Sequence, residues 1–323
     1  MRIAVTGAGG FIGSALVRRL VEGPNPIDRD APISRLDAVD LALPDFGDAR
    51  VRPVIGALPD PSLETSLFAE PFDVFFHLAA LPGGAVARDY EAGWRVNFEA
   101  SRRILEGLAR QRRPARLVFA SSVGVFGVPL PAKVDDETLP LPTMSYGAQK
   151  LMVETLVNDF ARRGLVDGRA PRLPGIVARP RVKGGHLSAY MSDIFHALSV
   201  GESFVCPVSA GARSWMMSRR RGVENLIHAA RVPADAFGPQ RAFTLPALRV
   251  AMNELVDALA ARFGAELGAR VRYEPDVALE AQFGAYPPLT TAMADRMGFQ
   301  HDGDIGSLVA RALNLEFVPG GAA

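Results

Sequence analysis

Residues 2–13 read RIAVTGAGGFIG, an apolar run, then glycines at three-residue spacing, then the opening of an amphipathic stretch, FIGSALVRRLV. An apolar run that turns at once into a helical pattern is a buried strand feeding a crossover. That feature restricts the fold more than any other. A strand followed directly by a helix returns to pair in parallel, and parallel strands need cover on both faces. Glycines at Gly7, Gly10 and Gly13 permit a tight turn, close approach of backbone amides to a ligand, and close packing of helix on sheet.

The first half of the chain keeps this rhythm. SRLDAVD (34–40) and RPVIGAL (52–58) are strand candidates, while DVFFHLAA (73–80) and RLVFASS (116–122) are apolar on both faces, as helix-covered strands are. ARDYEAGWRVNFEASRRILEGLARQR (87–112) predicts a long, bent helix. YGAQKLMVETLVNDFARR (146–163) predicts a second, with Ser145 as its cap and Gly164 as its stop. GRAPRLPGIVARP (168–180) supplies a sixth strand. The expected fold is α/β: a Rossmann-type doubly wound parallel sheet over residues 1–178, completed by parts of 219–246. After Arg179 the rhythm loosens. SWMMS (214–218), RAFTLP (241–246) and VRYEPD (271–276) alternate with helices near 221–231, 250–264 and 304–315, and GAYPPLT reads as a turn. Residues 179–323 are expected to form a smaller C-terminal α/β portion that binds the substrate.

With 323 residues, 48% hydrophobic and 22% charged, the chain buries a substantial core. A net charge of +1 argues against nucleic acid and acidic membrane surfaces as partners. The basic run RSWMMSRRRG reads as a helix start and a solvated face. One cysteine, Cys206, excludes an intrachain disulfide and a multi-thiolate metal site, and it fits a reducing compartment. The opening residues lack a sustained apolar stretch, and no run reaches the ~18 apolar residues of a membrane span. A cytoplasmic protein without a metal is expected.

A helix opening on a glycine turn presents unpaired amides and the positive end of its dipole to an anion. The predicted ligand is therefore the pyrophosphate of a dinucleotide, held by Gly7, Gly10, Phe11, Ile12 and Gly13. The second strand ends in AVD. A carboxylate at its tip accepts both ribose hydroxyls and repels a 2′-phosphate. Asp40 fits the tip better than Asp37, and the following LALP offers no basic residue, so NAD is expected rather than NADP. The plainer alternative for Asp40 is a strand-end carboxylate facing water.

SYGAQK (145–150) holds one of the few lysines in a chain with 36 Lys plus Arg; the others are Lys133 and Lys183. Four residues apart on a helix, Tyr146 and Lys150 share a face. A phenol ordinarily holds its proton to pH ~10. A nearby ammonium and the positive ring of an oxidised nicotinamide stabilise the phenolate and make it a base. Lysine's compact charge on a flexible stem also reaches the nicotinamide ribose, a geometry the arginine fork does not reproduce. Taken alone, Tyr-x-x-x-Lys is a common surface pair. Downstream of the glycine turn and the strand end FASS it predicts a hydride-transfer site, with the alcohol oxygen between Tyr146 and a serine. Ser122 and Ser121 compete for that role and for capping the strand end.

Together these motifs resemble the extended short-chain dehydrogenase/reductase family, also called the NAD-dependent epimerase/dehydratase family. The resemblance runs from TGAGGFIG through FFHLAA, RVNFEA, FASSVGVFG, SYGAQK and RLPGIVARP. It implies Ser122, not Ser121, as the catalytic serine, Tyr146 as general base and Lys150 as its partner. It also implies that backbone at Leu78, Ala79 and Ala80 borders the cofactor, that Asn97 lies near it, and that Leu58, Leu173 and Ile176 touch the dinucleotide. Taken alone, Asn97 reads as an exposed helix residue or a local backbone partner. A homodimer through the two long helices, 87–112 and 146–163, is expected from their length and the apolar positions Leu105, Leu108, Leu151 and Leu156. The resemblance also points to a dimer closed by a four-helix bundle; the plainer alternative is that those leucines face only the sheet. Two residues depart from the family pattern: Ala57 replaces an aspartate beside the adenine, and Phe126 replaces a tyrosine.

Val123 and Gly124 follow the serine where dehydratases of the family carry an Asp-Glu pair, so dehydration is not expected. Epimerisation needs only the core groups and stays open as the alternative, acting on a sugar nucleotide. The stretches SYGAQK to GIVARP, SWMMSRRRGVENLIHAA and DRMGFQHDGDIGSLVARAL resemble a narrower group, the D-erythronate dehydrogenases. That resemblance implies oxidation of the C2 hydroxyl of a four-carbon sugar acid with NAD. Its carboxylate requires a cation, and Arg179, after the sixth strand, is the candidate for a two-pronged contact. Arg213 and Trp215 are secondary candidates for the pocket wall; arginines are abundant in this chain, and core packing of the second domain is the plainer alternative for Trp215. Gly83, Gly84 and Ala85 stand where that group carries about Ser-Gly-Glu, which leaves a related sugar acid or another hydroxy acid open. A redox sensor or scaffold of this fold is disfavoured because Ser122, Tyr146 and Lys150 are all present.

Overall fold

The structure, a computed structural model, describes residues 1–181 and 187–314. Lys183 and the closing PGGAA lie outside the described residues. The first strands are β1 (Arg2–Thr6), β2 (Arg35–Asp40), β3 (Val51–Ile55), β4 (Val74–His77), β5 (Arg116–Phe119), β6 (Ser121–Ser122) and β7 (Asp167–Leu173). They continue as β8 (Gly175–Val177), β9 (Phe204–Cys206), β10 (Arg213–Ser218), β11 (Ala242–Thr244), β12 (Leu248–Ala251) and β13 (Val271–Tyr273). The chain divides into two compact units. Unit 1 holds Met1–Gly127, Leu139–Leu173 and Val223–Thr244; unit 2 holds Val128–Thr138, Pro174–Gly222 and the chain from Leu245 onward.

Unit 1 is a parallel sheet in the order β11-β7-β5-β4-β1-β2-β3, with β6 also beside β7. The chain leaves β1 toward β2 and β3 on one side and resumes at β4 on the other. That reversal opens a crevice at the carboxyl ends of β1 and β4, where open α/β sheets bind ligands. The helices are α1 (Phe11–Val21), α2 (Pro61–Leu67), α3 (Gly83–Arg88), α4 (Tyr90–Gly93), α5 (Ala100–Ala109) and α6 (Ser145–Arg162). Ala4, Phe75, Leu117 and Phe119 of the sheet pack against Ile104, Leu105 and Leu108 of α5 and Val153 and Val157 of α6. Each fully buried side chain of this size contributes about 1.5–3 kcal/mol.

The expected helix over 87–112 is interrupted. Asp89 adopts extended backbone, with φ −140°, and its carboxylate accepts a hydrogen bond from Ala92 N, so it caps a new helix instead of continuing the old one. Between α4 and α5, Trp94–Glu99 forms a π-helical turn, and Asn97 points from it into the interior. Ser145 is the first helical residue of α6 rather than its cap; Met144 holds the cap position without a side-chain hydrogen bond. Gly164 ends that helix at φ +69°, a conformation that favours glycine. The sixth strand, read as one run over 168–180, is two. Pro174 lacks the N–H needed to continue the ladder, so β7 stays in the sheet of unit 1 and β8 joins a strand of unit 2.

Unit 2 contains a three-stranded sheet in the order β12-β10-β8 and a two-stranded sheet of β13 and β9. Val177, Met216 and Val250 of the larger sheet pack with Ile194, Phe195, Leu198, Leu255, Leu259 and Leu308 from its helices. Among the described residues, no helix is long and apolar enough to cross a membrane.

Candidate active site

The glycine turn sits at the carboxyl end of β1. Gly7 takes φ +72°, and a Cβ there would stand 2.8 Å from Ala79 N at the end of β4. Gly13 lies so close to Gly7 O, and Gly9 so close to Ala42 O, that a Cβ at either position would collide with backbone. Helix α1 begins after Gly10 with no side chain capping it. Bare backbone at a sheet switch point, opening an uncapped helix, is the cradle a dinucleotide pyrophosphate needs, so these residues fit that group.

Asp40 accepts from Gly9 N at 2.9 Å through Oδ2 and from Leu41 N at 2.7 Å through Oδ1, which fixes its carboxylate beside the turn. Asp37 is fully buried and paired with Arg2, Arg35 and Arg52 at 2.7, 2.9 and 2.7 Å. The two aspartates of β2 thus divide between a core ion cluster and the ligand edge.

Successive residues of a strand face opposite ways, and at β6 this separates the two serines. Ser121 is buried and donates to Glu154 Oε1 at 2.5 Å. Ser122 is partly exposed, and its Oγ accepts from Gly124 N at 3.0 Å. A Cβ on Gly124 would meet Ser122 Oγ at 3.3 Å and Tyr146 Cδ1 and Cε1 at 3.6 Å, so both side chains flank one point. Gly147 makes this possible: its Cα lies against Gly124 O with no room for a side chain, and α6 therefore seats directly on the turn after β6. Gly83, at the start of α3, also closes on the Tyr146 side chain, with its missing Cβ 3.7 Å from Tyr146 Cβ.

Lys150 Nζ is buried, donates to Ala120 O at 2.8 Å, and lies 4.6 Å from the Phe119 ring centroid and 5.8 Å from that of Tyr146. Burial pushes the ammonium down to about 7, against the pull of the Glu154 carboxylate.

A hydrogen-bonded chain braces the site from below. Ala79 N donates to Thr6 Oγ1, which stands 2.6 Å from His77 Nδ1; His77 Nε2 stands 2.8 Å from Ser101 Oγ, which donates to Asn97 O. One proton arrangement satisfies every member, with His77 neutral and protonated on Nε2. Burial, and then the Lys150 charge, hold that imidazole down to about 3. The Asn97 side chain accepts from Leu81 N at 2.7 Å and donates to Leu81 O and to Gln149 Oε1, tying the loop after β4 to α6. Asn97 is thus a buried brace, not an exposed helix residue.

The family model described as the NAD dependent epimerase/dehydratase family matches residues 3–230. The chain belongs to that family. It is 35% identical to a D-erythronate dehydrogenase of Cupriavidus necator over 96% of this chain and 97% of that one. It is 31% identical to a D-erythronate dehydrogenase of Haemophilus influenzae over 98% and 100%. Among solved structures, the nucleoside-diphosphate-sugar epimerase from Agrobacterium tumefaciens superposes with a TM-score of 0.90 and 30% identity, covering 100% of this chain and 95% of the other. As a family member the protein is an NAD-dependent enzyme, and the glycine cradle of unit 1 is built accordingly.

Of the remaining expected contacts, Leu58 and the run Leu78 to Ala80 are partly exposed, Leu58 in the loop after β3 and the run after β4, and Leu173 is buried at the end of β7. Ile176, Arg179, Arg213 and Trp215 belong to unit 2. There Arg213 reaches Glu254 at 3.2 Å, and Trp215, 1% exposed, donates through Nε1 to Pro287 O and packs its ring on Tyr286. Arg179 follows Ala178, whose φ of 57° is left-handed, and its carbonyl lies 2.7 Å from His196 Nε2. Among the described residues no cluster of three or more His, Cys, Asp or Glu is arranged to hold a metal. Sequence reasoning missed Gly147, Glu154, Arg172 and the His77 chain. Glu154 alone carried a local signal, its place one helical turn after Lys150.

Proposed function

We propose that this protein oxidises the C2 hydroxyl of a small sugar acid with NAD, D-erythronate to 2-dehydro-D-erythronate. The observation that carries the reading is the end-to-end similarity to D-erythronate dehydrogenases in a chain where Ser122 and Tyr146 flank one point. In this reading the Gly7–Gly13 turn holds the pyrophosphate, Asp40 the adenosine ribose and Lys150 the nicotinamide ribose. Bound NAD supplies the hydride acceptor. Tyr146 takes the hydroxyl proton as the C–H bond breaks. Ser122 accepts from Gly124 N, which leaves its own proton to donate to the substrate oxygen and orient it. The Lys150 ammonium favours the Tyr146 phenolate.

Arg179 supplies the cation for the carboxylate. Arg179→Ala is expected to raise KM strongly, since losing one partner of a buried charge pair costs about 2–5 kcal/mol, and lysine restores only part of that. The single, buried Cys206 supports a reducing, cytoplasmic setting. The working form is a homodimer joined through the helices at 90–109 and α6.

A sugar-nucleotide epimerase is the second reading, favoured by the similarity to the Agrobacterium enzyme. NADH absorbance on a panel of four- to six-carbon sugar acids, with UDP- and GDP-sugars assayed for inversion, separates the two. NADH formation from D-erythronate is expected; clean inversion of a nucleotide sugar without NADH from any acid reverses the conclusion.

A further inference from the structure

Glu154 lies one turn beyond Lys150 on α6 and is 2% exposed. A carboxylate so buried stays ionised only when it is paired. Arg172 crosses from β7 to place Nε 2.9 Å from Oε1 and Nη2 2.8 Å from Oε2, and Ser121 of β6 donates to Oε1. The guanidinium also lies over the Phe126 ring, 5.1 Å from its centroid. A single carboxylate thus binds α6, β6 and β7 together directly beneath the residues assigned to catalysis. Buried ion pairs are weak stabilisers compared with apolar packing of equal volume. Stability alone is therefore a poor account of this one.

The account lies with Lys150. Residues i and i+4 share a helix face, and Lys150 Nζ, itself buried, has the Ala120 carbonyl as a hydrogen-bond acceptor. The titratable and charged groups around it are Tyr146 and Glu154 on its own helix, His77 from β4, and Arg172 from β7 behind Glu154. His77 is neutral, so Glu154 is the anion that offsets the ammonium. We propose that Glu154 is a positioning residue for Lys150: its carboxylate, locked by Arg172 and Ser121, keeps the lysine nitrogen in its ammonium form on Ala120 O beside Tyr146. Without that anion the buried amine sheds its proton, and Tyr146 loses the cation that makes its phenolate accessible. The downward push of burial on Lys150, opposed by Glu154, agrees with this.

The inference rests on the roles proposed above for Tyr146 and Lys150, but its test needs neither substrate nor cofactor. The chain has three lysines, Lys133, Lys150 and Lys183, so protein labelled with 13C at lysine Cε gives three side-chain resonances, and Lys150→Met assigns the one that matters. Its pH midpoint is followed in the full-length protein. Glu154→Gln keeps the shape and an acceptor for Ser121 and removes the charge; the Lys150 midpoint is expected to fall by about one unit or more. Arg172→Gln removes the guanidinium that keeps Glu154 ionised, and the midpoint is expected to fall there too. A fall in both variants establishes the electrostatic role. A midpoint that stays put in Glu154→Gln, or rises in either variant, overturns it and leaves Glu154 as a mechanical clamp. Should Glu154→Gln fail to fold, the sign of the shift in Arg172→Gln decides alone. A failed D-erythronate assay leaves this result standing.

Discussion

The roles proposed for Tyr146 and Lys150 act through protons, so their variants separate chemistry from binding. Tyr146→Phe is expected to lower kcat by about 100- to 10,000-fold while NAD binding, followed by fluorescence or calorimetry, persists. Lys150 also carries a stability signature. Its folded-state value of about 7 lies below the ordinary 10.5. At and below about pH 7 both folded and unfolded chains hold the proton, and the folded state bears the full desolvation penalty. Between about 7 and 10.5 the unfolded chain binds more protons, so stability rises with pH across that window. Lys150→Met is therefore expected to raise Tm at neutral pH, with the gain fading toward pH ~10, while kcat falls. Asp40 is proposed to set the cofactor preference. Its carboxylate is held beside Gly9 N, where a 2′-phosphate would be repelled. Turnover with NAD is expected to exceed that with NADP; equal turnover would remove Asp40 from the cofactor assignment.

At the scale of elements, the site depends on how closely α6 approaches the turn after β6. Gly147→Ala places a methyl group against Gly124 O. Backbone cannot yield as a side chain does, so α6 must shift. A stability loss of about 1–3 kcal/mol is expected, together with a kcat loss larger than the change in NAD affinity, because Ser122 and Tyr146 separate. Denaturant unfolding and steady-state kinetics measure the two. The His77 chain joins β1, β4 and the helix at 94–109. Its imidazole is neutral in the folded protein and titrates normally when unfolded, so the unfolded chain binds more protons between about 6.5 and 3. Stability contributed here is complete above about pH 6.5 and is lost as pH falls through that window. His77→Gln is expected to flatten the acid limb of the stability profile while lowering stability at pH 7.

For the whole molecule, a homodimer is proposed. Leu105 and Leu108 were expected at a helix interface, yet both face the core of unit 1. The proposed interface surface is the row Tyr90, Trp94 and Phe98, in which Tyr90 stacks on Trp94 and Trp94 meets Phe98 at a tilt, together with Leu151; Phe98 and Leu156 also pack against the core of unit 1. Tyr90 is 51% exposed. Sedimentation is expected to give a dimer at micromolar concentration, and Tyr90→Glu with Trp94→Glu to shift it toward monomer; a monomeric parent protein removes the proposed interface.

Local chemistry was legible in the sequence where one segment carries all the information. The strand, glycine turn and helix at 2–21, the parallel sheet, and the shared face of Tyr146 and Lys150 follow from side-chain period and from glycine's missing Cβ. Asp40 was separable from Asp37 because strand ends and strand middles differ in exposure. Other features needed distant segments to meet. The π turn that carries Asn97 inward and the inward leucines of α5 are decided by which surface each element packs against, whereas the break at Asp89 and the division at Pro174 follow from a capping carboxylate and a missing N–H already present in the local sequence. Ser121 and Ser122 are identical in sequence and adjacent, so only the sheet, by sending one toward Glu154 and the other toward Gly124, assigns them different work. The same holds for Glu154 and Arg172: eighteen residues apart on a helix and a strand, they become one ion pair only when β7 lies under α6, because a buried charge is tolerated only where the fold brings its partner.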